Sequence, residues 1–173
     1  MNFAAFVPTI AVLAFSIPAV AAETHGSMLI ELVYARLYRL ADATNVQTQT
    51  NRISVVLERG DGYMLEEADV NAPTNRALDY RVFGRLGDRV AIGGNLSVSL
   101  LMNEASLVAT YQNSTYFRKV RIDLFDGKCR GNVQYILRDG VPYFLFQRNG
   151  APLKIATVTT EIISCSLIFP GVS

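Results

Sequence analysis

Four carboxylates lie close together in the sequence, at Asp61, Glu66, Glu67 and Asp69. Two carboxylates held about 5–10 Å apart can hydrolyse a glycosidic bond, so Glu66, Glu67 and Asp69 are candidates for a hydrolase site. Their spacing matches no EF-hand calcium loop. Because the surrounding residues are polar, a solvated acidic loop is the simpler interpretation.

A second group combines arginine with an aromatic side chain. Arg81, Phe83 and Arg85 are spaced two residues apart, so a strand would place all three on one face. Guanidinium groups bind phosphates and carboxylates through parallel hydrogen bonds. The pattern therefore indicates a candidate face for an anion or a partner. An ordinary polar strand face, with Asp79 and Asp88 nearby, is the simpler interpretation.

The sequence lacks the other residues of common catalytic sets. His25 is its single histidine and lies close to the predicted start of the mature chain, where we expect a flexible terminus. No Ser-His-Asp triad can be built without it. The chain contains no G-x-S-x-G, H-E-x-x-H, C-x-x-C or P-loop motif. We therefore expect no cofactor, no metal site and a binding role in preference to catalysis.

Cys129 and Cys165 are the two cysteines of the chain. In an oxidising compartment such a pair is expected to form a disulfide bond. In the chain-entropy model, closing a loop of about 37 residues stabilises the fold by roughly 3.5–4 kcal/mol. A metal site is the weaker alternative, because it would need further ligands.

Residues 1–22 predict the compartment, because they carry no charged side chain and resemble a signal peptide. Small residues at Ala19 and Ala21 fit a signal-peptidase site. Cleavage would leave one β-rich domain, residues 23–173, secreted or in the periplasm, with no later stretch long enough to span a membrane. The alternative is an uncleaved membrane anchor, since about 20 apolar residues can cross a bilayer.

Composition excludes two other classes of protein. The chain has 173 residues, of which 50% are hydrophobic and 18% are charged, and its net charge is +1. This length is enough for one domain with a core, and the apolar content argues against disorder. The lack of a basic excess argues against a nucleic-acid partner.

Hydrophobic periodicity predicts a β-rich body with one helix. Apolar residues over 28–42 recur at helical spacing, which predicts a helix, although apolar content on every face leaves a strand open. The polar residues 45–51 and 66–79 predict loops. Alternating runs at 53–58 and, from residue 79 onward, about every ten residues predict antiparallel strands.

Asp126-Gly127 is typical of a two-residue hairpin turn. Such a turn sets Leu124 opposite Cys129 on an inner face and Asp123 opposite Arg130 on an outer face. Carrying this alternation onward places further residues inside: Phe144, Phe146, Leu153, Ile155, Cys165, Leu167 and Phe169. The first four are candidates to line an apolar cavity. A bend near residues 159–161 would keep Glu161 from pointing inward.

The predicted disulfide constrains the architecture, because at least one strand separates the strands of Cys129 and Cys165. Second-neighbour strands lie about 9.6 Å apart, whereas a disulfide needs Cα atoms within about 7 Å. The last strand must therefore cover an opposing sheet or close a barrel. We expect an antiparallel β-sandwich or barrel of the meander type, with one N-terminal helix packed on it. The helix or a partner would cover the outward apolar residues, which are Ile136, Tyr143, Leu145, Ala156 and Val158.

These observations favour a secreted or periplasmic, non-enzymatic binding or interaction domain. A protein or glycan partner is the first hypothesis, because small barrels are usually filled by their own side chains. A carrier of a small apolar ligand and a small hydrolase that uses the loop carboxylates are the alternatives. Asn95 and Asn113 begin glycosylation sequons, which would be used only in a eukaryotic secretory pathway.

Overall fold

The computed structural model describes residues 28–41, 46–58, 60–71, 78–146 and 152–169, and it confirms the predicted all-β class. Every strand pairing in these residues is antiparallel. The strands in chain order are β1 (Met28–Leu40), β2 (Val46–Leu57), β3 (Gly62–Asp69), β4 (Leu78–Arg85), β5 (Arg89–Gly93), β6 (Leu96–Asn103), β7 (Ser106–Gln112), β8 (Tyr116–Phe125), β9 (Lys128–Leu137), β10 (Tyr143–Phe146) and β11 (Pro152–Ile168). The predicted leader, residues 1–22, and His25 lie outside the described residues.

The strands form two sheets that together make a barrel-like body. A six-stranded sheet has the order β10-β11-β1-β2-β3-β4, and a five-stranded sheet has the order β5-β6-β7-β8-β9. On one side the short turn between β4 and β5 joins the sheets, and its Gly87 amide donates to the Leu100 carbonyl at 2.8 Å. On the other side Cys129 of β9 and Cys165 of β11 form the predicted disulfide, with Cα atoms 5.6 Å apart. The disulfide thus links the two sheets, as the strand-spacing argument required.

The predicted helix over residues 28–42 is wrong, because this segment forms β1 and the described residues contain no helix. β1 lies inside its sheet, between β11 and β2. Ile30 and Leu32 on the inner face are buried, and Val33 and Leu37 on the outer face are half-buried. A strand that is apolar on both faces can imitate helical spacing, and this is why the periodicity was misleading.

The predicted loops at 45–51 and 66–79 are wrong at 46–51, 66–69 and 78–79, which form strands, whereas residues 70–71 form a turn as predicted. β2 already begins at Val46, and β3 continues to Asp69. The polar side chains of Asn51 and Glu67 in these strands are buried. Part of the local polarity therefore reflects a polar region of the barrel interior.

The hairpin that joins β8 to β9 is confirmed. Asp126 and Gly127 have φ angles of 49° and 70°, as a type I′ turn requires. Asp123 pairs with Arg130, and Leu124 pairs with Cys129. This register directs one cysteine of the disulfide toward the interior.

β11 has two bulges in place of the single bend predicted near residues 159–161. The pairing with β1 passes from Arg39–Thr157 to Leu40–Ile155 and from Val33–Ser164 to Tyr34–Ile162, which leaves Ala156 and Ile163 as extra residues. The first bulge reverses the inward phase, so Val158 is buried, contrary to the prediction, and Glu161 is exposed. The second bulge restores the phase before Cys165. The exposed Phe169 corrects the prediction that it points inward.

One region of the interior is apolar and tightly packed next to the disulfide. Its main contributors are Ile30, Leu32, Ile53, Val55, Leu65, Val98, Leu100, Leu107, Val120 and Ile122. Leu32 pairs with Cys165 along β1 and β11. A Cβ atom added to Gly131 of β9 would lie 2.2 Å from Leu32 Cδ1. Gly131 therefore allows β9 to approach β1 closely at the point where the sheets are linked.

We expect Gly131→Ala to destabilise the protein by about 1–3 kcal/mol, because the added methyl group overpacks the buried Leu32. Adding Leu32→Val, which removes the clashing methyl position, should recover some of that loss relative to Leu32→Val alone. Chemical denaturation of the two single variants and the double variant measures this coupling. Asn132→Ala on the exposed face of β9 is the control. Additive losses in the double variant would contradict the proposed contact.

Candidate functional site

β3 places the predicted acidic residues on two faces of its sheet. Glu66 lies on the outer face and forms an ion pair with the exposed Arg81 of β4. Glu67 points inward and is 1% exposed. Since successive side chains of a strand point to opposite faces, these two carboxylates cannot act together on one bond.

Glu67 pairs with Arg118 in the middle of the barrel. Arg118 comes from β8 in the opposite sheet and is 2% exposed. Its Nη1 donates to Glu67 Oε1 at 2.7 Å, and its Nη2 donates to Oε2 at 2.6 Å. Two parallel hydrogen bonds of this kind are the strongest geometry for a guanidinium and a carboxylate. The pair therefore connects the two sheets through the interior.

Tyrosines from both sheets surround this ion pair. The Tyr34 and Tyr80 hydroxyls donate to the carboxylate, the former at 2.6 Å. The guanidinium donates to the hydroxyls of Tyr34, Tyr80 and Tyr135 at 2.8–2.9 Å. It also lies 3.7 Å from the ring centroid of Tyr111, a cation–π contact. Burial raises the pKa of Tyr34, Tyr80 and Tyr111, so these hydroxyls keep their protons.

Arg36 brings a second guanidinium to the same carboxylate. Its side chain is 13% exposed, and its Nη2 forms an ion pair with Glu67 Oε1. Its Nη1 donates to the Tyr38 hydroxyl at 3.3 Å, while its buried Nε has no partner. The rings of Tyr34 and Tyr135 lie 5.7 Å from its guanidinium carbon. We call Glu67, Arg118, Arg36 and the tyrosines around them, which are Tyr34, Tyr80, Tyr111 and Tyr135, the Glu67 cluster.

The Glu67 cluster has one negative and two positive charges. Burial alone would raise the pKa of the Glu67 carboxyl, but Arg118 and Arg36 hold that pKa well below its usual range. Burial alone would lower the pKa of each arginine. The Glu67 carboxylate opposes this effect, and the pKa of each arginine lies well above its usual value. All three groups are therefore ionised at neutral pH, and the cluster retains one positive charge.

Arg36 also belongs to a second set of polar side chains, which lies at the end of the barrel where β1 leads into β2. We call this set the mouth layer. It comprises Arg36, Tyr38, Gln49, Asn51, Asp69 and Asp79. The Gln49 amide donates to Asp69 at 3.3 Å, and the Asn51 amide donates to Asp79 at 3.4 Å. Asn51 is 0% exposed, and its Oδ1 has no hydrogen-bond partner. The mouth layer thus contains a buried donor and a buried acceptor that no side chain satisfies.

A β-bulge brings Asp79 into the mouth layer. Glu67 pairs with Tyr80 and Ala68 with Leu78, so Asp79 is the extra residue of β4. A bulge redirects a side chain from its expected face. Burial and then the nearby Glu67 carboxylate raise the pKa of Asp79. Asp79 is itself exposed to solvent, and its carboxylate interacts electrostatically with Arg36.

The predicted partner face has the expected orientation. Arg81, Phe83 and Arg85 of β4 are all exposed on one side of the sheet. The Arg81 guanidinium forms an ion pair with Glu66. Phe83 and Arg85 are therefore the more open part of this face. Whether this face binds anything stays a prediction.

The predicted apolar cavity comprised Phe144, Phe146, Leu153 and Ile155; the Phe146 side chain lies outside the described part of the chain, and the other three side chains do not share one inward face. Ile155 is buried against Tyr38 and Val158, and Leu153 is half-buried. Phe144 is 41% exposed and so does not point into the core, which corrects the prediction. Phe146 lies on β10 opposite Pro152. Ile155 instead borders a surface groove of about 450 Å³, whose other walls include Leu137, Arg138, Val141, Tyr143 and Lys154.

Sequence reasoning missed the arginines and tyrosines of the Glu67 cluster. A signal for Arg118 was present, because it is in phase with the inward Val120 and Ile122 of β8. Arg36 and Tyr34 were hidden by the incorrect helix. Within the described ranges, no group of three or more His, Cys, Asp or Glu residues could hold a metal ion, and no helix is long and apolar enough to cross a membrane.

Comparisons with known proteins add little about this site. No protein-family model matches the chain. No curated protein matches it either. Among solved structures, the chain is similar to a variant of the fluorescent protein UnaG, with 11% identity over 62% of this chain and 70% of that chain and a TM-score of 0.38. A likeness at that level carries no argument about what the site binds.

We expect Glu67→Gln to lower the stability at neutral pH by about 3–5 kcal/mol, because two buried guanidiniums would lose their counter-ion. The folded-state pKa of Glu67 lies below its unfolded value of 4.5, so its contribution is complete above pH 5 and is lost as the pH falls. The difference between wild type and variant should therefore narrow below about pH 4.5, by up to about 1.4 kcal/mol per pH unit.

Urea denaturation at a series of pH values measures this difference. Glu66→Gln, one residue away on the exposed face, is the matched control and should show no such convergence. If Glu67→Gln does not fold, the paired change Glu67→Leu with Arg118→Met removes both charges and should fold better than Glu67→Leu alone. A stability difference that is independent of pH would contradict the ionised pair.

Proposed function

We propose that this protein is an extracytoplasmic, non-enzymatic binding domain that holds a small polar ligand in the mouth layer. The observation that carries this proposal is the pair of unsatisfied polar groups there, Arg36 Nε and Asn51 Oδ1. An unpaired buried polar group costs free energy comparable to a lost hydrogen bond. A ligand that supplies both hydrogen-bond partners would recover that cost, and it would lie next to the Glu67 cluster.

The geometry favours binding over the alternative of hydrolysis by Glu66, Glu67 or Asp69. Glu67 accepts hydrogen bonds at both oxygens, and its low pKa leaves it without a proton to donate. A general acid needs a pKa near the working pH, and a nucleophile needs a free lone pair. Asp69 Oδ1 accepts a hydrogen bond from the backbone N–H of Asn71 at 2.9 Å, and Asp69 Oδ2 accepts one from the side-chain amide of Gln49. These carboxylates therefore act as anchors for other groups.

The disulfide is compatible with an extracytoplasmic location, since such bonds persist in oxidising compartments. The predicted leader, outside the described residues, supports the same proposal. We expect the protein recovered from its exporting host to begin at Ala22 or Glu23. Its intact mass should be about 2 Da below that of the reduced chain. An N-terminus at Met1, or two free thiols, would contradict the proposed location.

Binding by the outer face remains the second hypothesis for this protein. The exposed Arg81, Phe83 and Arg85 are its candidates, and a protein or glycan would be the partner. A variant pair separates it from the mouth layer, because each site contains one arginine that forms an ion pair with a glutamate of β3. Arg36 pairs with Glu67 inside, and Arg81 pairs with Glu66 outside.

The test is a ligand-observed NMR screen of the oxidised protein against small acids, amines, amides and amino acids at millimolar concentration. A hit that binds in the mouth layer should lose at least about ten-fold in affinity in Arg36→Gln, the loss of one charge-assisted hydrogen bond. It should bind normally to Arg81→Gln. Amide spectra of both variants show whether each is folded. Hits that respond only to Arg81→Gln, or the absence of any hit, would overturn the proposal.

A further inference from the structure

We propose that the ligand of the mouth layer is a short zwitterion, a molecule with one carboxylate and one ammonium group. Arg36 would bind the carboxylate, and Asn51 Oδ1 with Asp79 and Asp69 would bind the ammonium. This inference rests on the proposed function and names its ligand class.

Arg36 has the unused capacity that a carboxylate requires. In the described residues its Nη2 donates to Glu67, its Nη1 makes one long bond to Tyr38, and its Nε has no partner. A guanidinium has more N–H donors than these contacts use, and adjacent donors fit the two oxygens of a carboxylate. Glu67 is already shared with Arg118. A positive charge thus remains for an external anion.

The acceptors beside Arg36 have the unused capacity that an ammonium requires. Asn51 Oδ1 is fully buried and has no donor. The Asn51–Asp79 and Gln49–Asp69 bonds, at 3.4 and 3.3 Å, are near the upper limit for a hydrogen bond. An ammonium carries several donors and could serve Asn51 and a carboxylate at once. Asp79, which the bulge directs here, would gain a counter-ion.

The strand register places the two halves next to each other. Arg36 of β1 pairs with Gln49 of β2, and Tyr34 of β1 pairs with Asn51. Asn51 in turn pairs with Asp69 of β3. Adjacent strands lie about 4.8 Å apart, so the backbones that carry these donor and acceptor residues are one or two such spacings apart. A ligand with its two charges only a few bonds apart fits this separation.

Neither a simple anion nor a simple cation fits as well. An anion at Arg36 would be repelled by Asp79, and a cation at Asp79 would be repelled by Arg36 and Arg118, because these groups interact electrostatically. Like charges at short range are unfavourable, most of all where water is excluded. A zwitterion has no net charge and can orient one group toward each side.

The experiment is calorimetric or NMR titration of the oxidised protein with glycine, β-alanine and 4-aminobutyrate. Acetate, propionate and butyrate match them without the ammonium, and methylamine, ethylamine and propylamine match them without the carboxylate. We expect at least one zwitterion to bind about ten-fold more tightly than its single-charge analogues. Arg36→Gln should weaken that zwitterion by at least about ten-fold and Asp79→Asn by about three-fold or more, whereas Arg81→Gln should not weaken it.

The possible results separate this inference from the proposed function. Carboxylates that bind as tightly as the zwitterions, with dependence on Arg36 alone, would overturn the inference and leave the proposed function intact. Zwitterion binding that persists in both Arg36→Gln and Asp79→Asn would overturn both, because the site would lie elsewhere. If none of these probes binds, the inference is wrong, and the wider screen decides the proposed function.

Discussion

The ion pair of Glu67 and Arg118 is the constraint on which the rest of the barrel depends. Each residue comes from a different sheet, and both are nearly inaccessible to water. Moving two charges out of water costs several kcal/mol per ion, and only near-ideal geometry with further hydrogen bonds offsets it. The hydroxyls of Tyr34, Tyr80 and Tyr135 supply those bonds. The positions of these tyrosines, and hence of β1, β4 and β9, are tied to one charge pair.

The two ends of the interior follow from this placement. Toward the disulfide, β1 contributes Ile30 and Leu32, and the interior is apolar. The polar region of the interior begins at Tyr34, the next inward position along β1, and Arg36 continues it. The covalent link at Cys165 is therefore only one inward position away from the ionic one along β1. The covalent and the ionic links between the sheets therefore lie close together along β1. The mouth layer is the region farthest from the disulfide along the same strand.

Whether a strand could be predicted from the sequence depended on whether its inner face buries apolar or polar side chains. The β8–β9 hairpin and the disulfide could be predicted, because Val120, Ile122 and Val133 give a clear alternation beside an Asp-Gly turn. β2 and β3 were predicted as loops in the stretches that contain Asn51 and Glu67, because no single-sequence pattern separates a polar interior from solvent. The mouth layer was missed for a further reason. It depends on the bulge at Asp79 and on the register of four consecutive strands, β1 to β4, which local spacing does not encode.

The charged groups in the barrel are arranged with opposite signs at neighbouring levels of the interior. Two guanidiniums and one carboxylate leave a positive centre in the interior, and Asp69 and Asp79 place negative charge beside it at the mouth. Stability alone would be served by apolar side chains at these positions, since buried ion pairs are often replaced without loss. The arrangement instead produces a fixed dipole where a buried donor and a buried acceptor, Arg36 Nε and Asn51 Oδ1, both remain unsatisfied. If the proposed ligand binds there, such a charge arrangement would favour a neutral dipolar molecule over an ion, because the dipolar molecule gains from both of its ends and an ion gains from only one.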